Sequence, residues 1–401
     1  MSSSAADPRF AVAGPPKRKL RLSWGDERVR GIVWQLLVVG IVVALFWWLW
    51  QNTVHNLEVR RIATGFDFLD REAGLPIGES LIPYNPTDTY LRALTVGVLN
   101  TLKVAVIGVV LATVLGTLVG IARLSNNWLL SKLAGFYVEV IRDLPLLLQL
   151  LFWYTILQGL PAPRQALSPV GGVYLSNRGL LLPFIDWTPA HWWTLAAAVI
   201  GIVLTWLYAQ EMRRRQYADG QPRKVWRVGV ALILGLPLAV WAAFGAPFTP
   251  DIPALRGFNF RGGLTVSPEF FALLLGLVTY TAGFIAEIVR AGILAVNTGQ
   301  WEAAEALGLR RGEVLKRIVL PQALRVIVPP MTSQYLNLTK NSSLAVAIGY
   351  QDIVSIANTT LNQTGQAIEG IAIIMAVYLT ISLSISLFMN WYNARIALVE
   401  R

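Results

Sequence analysis

Long apolar runs with almost no charge recur along this chain, and they constrain its fold more than any other feature. A bilayer core of about 30 Å takes roughly 20 mostly apolar residues per helix. Residues 31–50, 104–122, 144–160, 192–209, 228–248, 270–286 and 367–389 meet that requirement. An eighth stretch, 323–349, has the length but is unusually polar, with Pro329-Pro330, Gln334, Asn337, Lys340 and Asn341. It is read as a span because the flanking loops otherwise end on opposite sides of the membrane. Charged residues make up only 14% of the chain, against about 25% in soluble domains. That excludes a soluble enzyme with a polar surface, and the apolar content excludes disorder. The first span follows a basic tail and exits on Trp47, Trp48 and Trp50, which suits an interfacial belt better than a cleavage site.

The net charge of +11 is a matter of topology. With the N-terminus inside, segments 1–30, 123–142, 210–227, 294–325 and 391–401 hold 23 Lys/Arg. The outer segments 51–90, 161–191, 249–269 and 350–366 hold 7. This asymmetry satisfies the positive-inside rule with both termini cytoplasmic, and it accounts for the charge without nucleic acid. The expected fold is therefore an all-α integral membrane protein of about eight transmembrane helices.

Much chemistry is excluded. Cysteine is absent and His55 and His191 are the only histidines, so no metal site is expected. No Gly-Lys dipeptide exists, so no Walker-type loop can hold ATP phosphates. Asn-x-Ser/Thr occurs at Asn337, Asn341, Asn358 and Asn362, and two of these fall inside a span.

The segment 297–321 reads as a short helix, a glycine stop and a proline entry into the membrane. Asn297 or Thr298 can cap it, and Gly308 is placed to end it in a left-handed conformation. A helix of about eight residues is unstable alone in water, so Trp301, Ala304 and Leu307 need a packing partner. That partner is the protein's own inner face, lipid headgroups, or a cleft on another protein.

The spacing Glu302-Ala303-Ala304, three residues, Gly308, nine residues, Ile318-x-Leu320-Pro321 resembles the EAA loop of ABC importer permeases. Residues 137–149, 286–292 and 340–345 are similar to stretches of the polar-amino-acid permeases, and residues 74–83 resemble the permease subunits of general L-amino-acid importers. The resemblance implies a type I ABC importer permease in a bacterial inner membrane, moving L-amino acids by alternating access. It implies that Trp301, Glu302, Ala303, Ala304, Leu307, Gly308 and Pro321 couple the chain to a separate ATPase. Partners would be a sister permease in a heterodimer, two ATPase copies carrying ATP and Mg, a periplasmic amino-acid-binding protein, and lipid. The chain itself would bind no cofactor and would not be an enzyme. The core corresponds to residues 92–160 and 270–395. The tail 1–30, the first helix 31–50, the outer segment 51–91 and the insertion 161–269 with two extra spans are additions to it.

A zwitterionic substrate needs donors for its carboxylate and acceptors for its ammonium. Gln334, Asn337 and Asn341 share a helix face, with Lys340 and Ser342 close by. A lysine at mid-bilayer costs about 2.5–3.5 kcal/mol, which makes it a functional candidate. The Pro329-Pro330 pair is expected to interrupt this helix near its inner end. Tyr280 and Thr281 could reach the same cavity; the competing reading is that these polar groups hold helices together. Glu287 with Arg290, and Glu139 with Arg142, stand three apart as gate or scaffold pairs. An ion-driven secondary transporter is the alternative function; it would need embedded carboxylates, for which Glu287 is the one fair candidate, and it leaves the EAA-like loop unexplained. A non-transporting membrane scaffold would leave the polar eighth stretch unexplained.

Overall fold

The computed structural model describes residues 27–59, 64–221 and 224–396. Most of the basic tail expected over 1–30 lies outside them. The chain divides into two units, residues 1–64 and 65–401. In the first, α1 (Glu27–Val59) is one apolar helix that runs nine residues past Trp50.

The second unit holds the remaining helices. Thr89 caps α2 (Tyr90–Arg123), accepting from the Arg92 amide at 3.4 Å. Then follow α3 (Trp128–Asp143) and α4 (Leu146–Gln158), bent by 106°. The bend sits at Leu144-Pro145, because the residue before a proline is pushed to extended backbone, and Leu144 has φ −93° and ψ 132°. Gln149 staples it, donating from Nε2 to the Ile141 and Leu144 carbonyls at 2.9 and 3.1 Å. The span expected at 144–160 is thus corrected. At 13 residues, or about 20 Å, α4 is too short to cross alone, and with α3 it makes a broken span or a re-entrant loop.

The insertion begins with β1 (Leu167–Val170), β2 (Val173–Ser176), β3 (Gly179–Leu182) and β4 (Phe184–Ile185). The chain then runs through α5 (Pro189–Asp219), α6 (Trp226–Val230), a π-helical turn over Ala231–Gly235, and α7 (Leu236–Ala243). It returns as β5 (Pro250–Asp251), β6 (Ala254–Arg256), β7 (Asn259–Arg261) and β8 (Leu264–Val266). Strand β8 closes on β3 and β5 on β4, all antiparallel. The two loops flanking the extra spans therefore share two small antiparallel sheets, β1-β2-β3-β8 and β4-β5, and β6-β7 makes a third, none of which was expected from the sequence. Alternation over three or four residues is too short to register as a strand in sequence.

Ser267 caps α8 (Pro268–Leu294), its hydroxyl accepting from the Phe270 amide at 3.1 Å. Next come α9 (Thr298–Ala306), α10 (Arg311–Val314), a π-helical turn over Leu315–Val319, α11 (Leu320–Asn341), a 3-10 stretch Ser342–Ile348, α12 (Ile353–Thr364) and α13 (Ala367–Ile396). Among the described residues six helices are long and apolar enough to span, or seven if the bent pair counts as one span, against about eight expected. Helix α11 has 22 residues but is not among them. It also runs unbroken through Pro329-Pro330, so the expected interruption does not occur there. The irregular turns lie at its two ends instead.

The core is the contact of α2 with α8. Gly116 and Gly120 make it possible: a Cβ on Gly116 would lie 2.6 Å from Ile285 Cβ, and one on Gly120 2.7 Å from the Ala286 carbonyl oxygen. Helix α11 closes the bundle, with Ile327 against Gly292 of α8 and Leu338 against Gly108 of α2.

Candidate functional site

Helix α9 is the first site element. Asn297 Oδ1 accepts from the Gly299 amide at 2.8 Å and starts the helix. Gly308 stops it at φ +73°, with open space where a side chain would be. Trp301 packs partly, and Ala304 fully, against the chain's own cluster around Val296, Val314 and Val319. Glu302 and Ala303 turn away from that cluster and are exposed; at the end of the helix Gly308 is exposed too, and Leu307 is 79% exposed. Ala304, expected among the coupling residues, is 2% exposed, with its methyl packed into the chain's own core. The packing partner of this short helix is thus divided. Its own bundle holds one face, and the other is free. Pro321 is the second residue of α11, directly after the π-helical turn over Leu315–Val319.

The polar face of α11 is the second element. Gln334 and Asn341 lie within about 40° of Ile327 around the helix, at 100° per residue. They flank the α8 contact. Tyr335 and Thr339 point the other way, into an apolar groove of about 710 Å³ between α2 and α13. No side-chain hydrogen bond or ion pair forms at Gln334, Asn337, Lys340 or Asn341 among the described residues; Asn337 and Lys340 are exposed and the other two half-buried. Ser342 and Thr281 are buried, and Ser342 donates to the Thr339 carbonyl at 2.7 Å. Tyr280 packs on Phe284 with centroids 5.0 Å apart. The structure does not gather these seven residues into one closed pocket. It leaves four unpartnered polar side chains on an open flank.

The charged groups form two clusters. At the inner end of α8, Glu287 bonds Arg290 Nη2 at 2.5 Å and also pairs with Arg123 at the end of α2. One carboxylate therefore clamps two helices. Glu139 and Arg142 do not pair, which corrects the second expected scaffold pair. Both are exposed, and the Arg142 guanidinium lies 5.1 Å from the Phe284 ring centroid. An exposed pair three apart gains well under 1 kcal/mol, so a ring face competes easily for the arginine. At the outer end, Lys103 of α2 pairs with Glu79, whose other oxygen accepts from Ser267 Oγ at 2.8 Å. Glu79, Arg123 and Asn100 carry no local pattern that marks them. Their partners are 21 to 251 residues away.

Over residues 216–398 the chain matches the family model described as binding-protein-dependent transport system inner membrane component. It is 51% identical to the general L-amino acid transport system permease protein AapQ of Rhizobium johnstonii, across 94% of each chain. The chain belongs to the amino-acid ABC transporter permeases. It is 53% identical to YhdX of Escherichia coli, an amino-acid ABC transporter permease by name, covering 95% of this chain and 97% of the relative. It is 42% identical to the glutamate/glutamine/aspartate/asparagine permease protein BztB of Rhodobacter capsulatus, covering 97% and 99%. This permease is a multi-pass protein of the bacterial inner membrane, built on the type I ABC permease fold, and works in an ABC transporter complex with an ATPase and other subunits. The family is one of permeases and not of enzymes, and membership in it favours ATP-driven import over the ion-driven alternative.

Proposed function

We propose that this permease moves L-amino acids inward by alternating access, driven through α9 docked on the ATPase. The observation that carries this reading is the division of α9. Trp301 and Ala304 fix it to the α8–α11 core, while Glu302, Ala303, Leu307 and Gly308 face outward. A force on the free face reaches the bundle through the buried one. ATP and Mg belong to the ATPase, present in two copies. A periplasmic binding protein delivers the amino acid, and a sister permease completes a heterodimer.

In this reading the open flank of α11 lines the pathway once the sister subunit faces it. Lys340 meets the substrate carboxylate, and Gln334, Asn337 and Asn341 supply amide donors and acceptors, with Tyr280, Thr281 and Ser342 behind them. The Arg123–Glu287–Arg290 clamp holds the inner ends of α2 and α8 and yields when the cavity opens inward. The insertion 161–269 and the first helix lie outside this working core.

Proteoliposomes holding the permease pair, the ATPase and the binding protein test the reading. Amino-acid uptake should require both ATP and binding protein. Uptake by this chain with neither, driven by an ion gradient, would overturn it.

A further inference from the structure

Between the two units' boundary at Gly65 and the start of α2, residues 65–89 run across the outer end of the bundle. Phe68, 1% exposed, and Leu75 bury themselves against Tyr90, Ala93 and Leu94 of α2 and Ile353, Ile356 and Ala357 of α12. This seats one end of the strap firmly. Its tip, 76–79, is held differently. Gly78 N–H donates to Gln351 Oε1 at 2.7 Å, and Gln351 Nε2 donates back to the Pro76 carbonyl at 2.9 Å. Asn100 Nδ2 donates to the Glu79 and Gln351 carbonyls, both at 2.9 Å. The Glu79 carboxylate then bridges Lys103 on α2 and Ser267 at the N-terminus of α8, and Lys103 lies 4.1 Å from the Phe270 ring centroid. The base is fastened mainly by buried apolar surface, whereas the tip, where only Ile77 still reaches that cluster, is fastened mainly by polar bonds. When water replaces the partner, each such bond costs about 0.5–1.5 kcal/mol net, and one to a charged group about 1.5–3 kcal/mol.

The lever arm matters. Helices α2 and α8 touch backbone to side chain at Gly116 and Gly120, with no room for a single added carbon. Lys103 stands 13 residues before Gly116, or about 20 Å along α2. A tilt of about 10° about that contact moves the outer ends by about 3.5 Å, enough to part Glu79's contacts on α2 (Asn100 and Lys103) from its contact at the start of α8 (Ser267).

We propose that residues 76–79 are a latch across the outer mouth, with Glu79 as the positioning residue that fastens α2 to α8, and that the latch opens once in each transport cycle. This rests on the alternating-access reading above. The absence of cysteine from the chain makes the test clean. In the reconstituted complex, Gly78→Cys with Gln351→Cys is bridged by a short bis-methanethiosulfonate reagent and then released with reductant. Before bridging, uptake should need ATP and binding protein; if it does not, the transport reading itself is at fault. Bridging should cut uptake about tenfold or more, and reductant should restore it, while each single-cysteine variant is unaffected by the reagent. Uptake that continues at the unbridged rate would overturn the latch alone. Glu79→Gln gives a second reading. Losing one charge-assisted contact should raise ATP hydrolysis without binding protein by about tenfold, and exchanging the charges (Glu79→Lys with Lys103→Glu) should bring it back down. If Glu79→Gln instead lowers hydrolysis and uptake together with the melting temperature, Glu79 is a structural brace and the proposal fails.

Discussion

Leu307 separates docking from folding in one side chain, which makes Leu307→Ala the most informative change in the coupling loop. The residue is 79% exposed and closes α9 with φ −80° and ψ 2°, a conformation alanine accepts without strain. Fully burying a leucine that starts exposed is worth about 1.5–3 kcal/mol. Four-fifths of that, the share this side chain still shows, is about 1.2–2.4 kcal/mol, or roughly 8- to 60-fold in affinity. Truncating an exposed side chain, by contrast, shifts stability by only about 0.5 kcal/mol either way. The variant should therefore melt like the parent and bind the ATPase roughly 8- to 60-fold more weakly. Surface plasmon resonance on the detergent-solubilised permease pair, with the ATPase as analyte, measures the second quantity, and differential scanning fluorimetry the first. A variant that keeps both its melting temperature and its ATPase affinity would refute docking through the free face of α9. The reverse experiment is Ala304→Leu, which forces bulk into the buried face and should lower the melting temperature first.

Four further outcomes follow from the geometry. Gly116→Val places carbon against Ile285 and the Ala282 carbonyl and should cost about 1–3 kcal/mol, read as a lowered unfolding midpoint in detergent. Gly308→Val meets open space but must hold φ +73°; it should fray α9 and cut ATP-coupled uptake more than Gly308→Asn does, since asparagine tolerates that region better. Lys340→Met should insert normally and lose most uptake; unchanged uptake would remove Lys340 from the pathway. Asp352 lies on the outer corner between α11 and α12, where burial pushes its carboxyl up to about 7 from an ordinary value near 3.9. Between roughly pH 4 and 7 the folded chain thus holds a proton that the unfolded chain has released, so this residue's contribution to stability falls as pH rises through that window and levels off above it. Melting temperature against pH should lose that slope in Asp352→Asn, which can still cap α12 at the Ser355 amide, 2.8 Å away in the parent.

The sequence by itself determined what depends on local pattern: where the long apolar helices lie, which side the basic loops face, and the glycine that ends α9. Each is set by residues within a turn or two of one another or by charge summed over a loop, so no folding has to be known. It also placed Gln334, Asn337 and Asn341 on one face of α11, because helical spacing alone does that. The tertiary structure decided which residues of α9 are spent on the chain's own core, so that Ala304 is buried and Leu307 exposed. It decided that the 144–160 stretch is a short helix bent sharply from α3 at Leu144-Pro145, with Gln149 stapling the bend. It replaced the expected Glu139–Arg142 pair with an arginine on a ring face, and it joined Glu79 to Lys103 and Arg123 to Glu287. Those last choices turn on distances between residues far apart in the chain. Two charges have no way to mark each other in a sequence until packed helices bring them within a few ångströms.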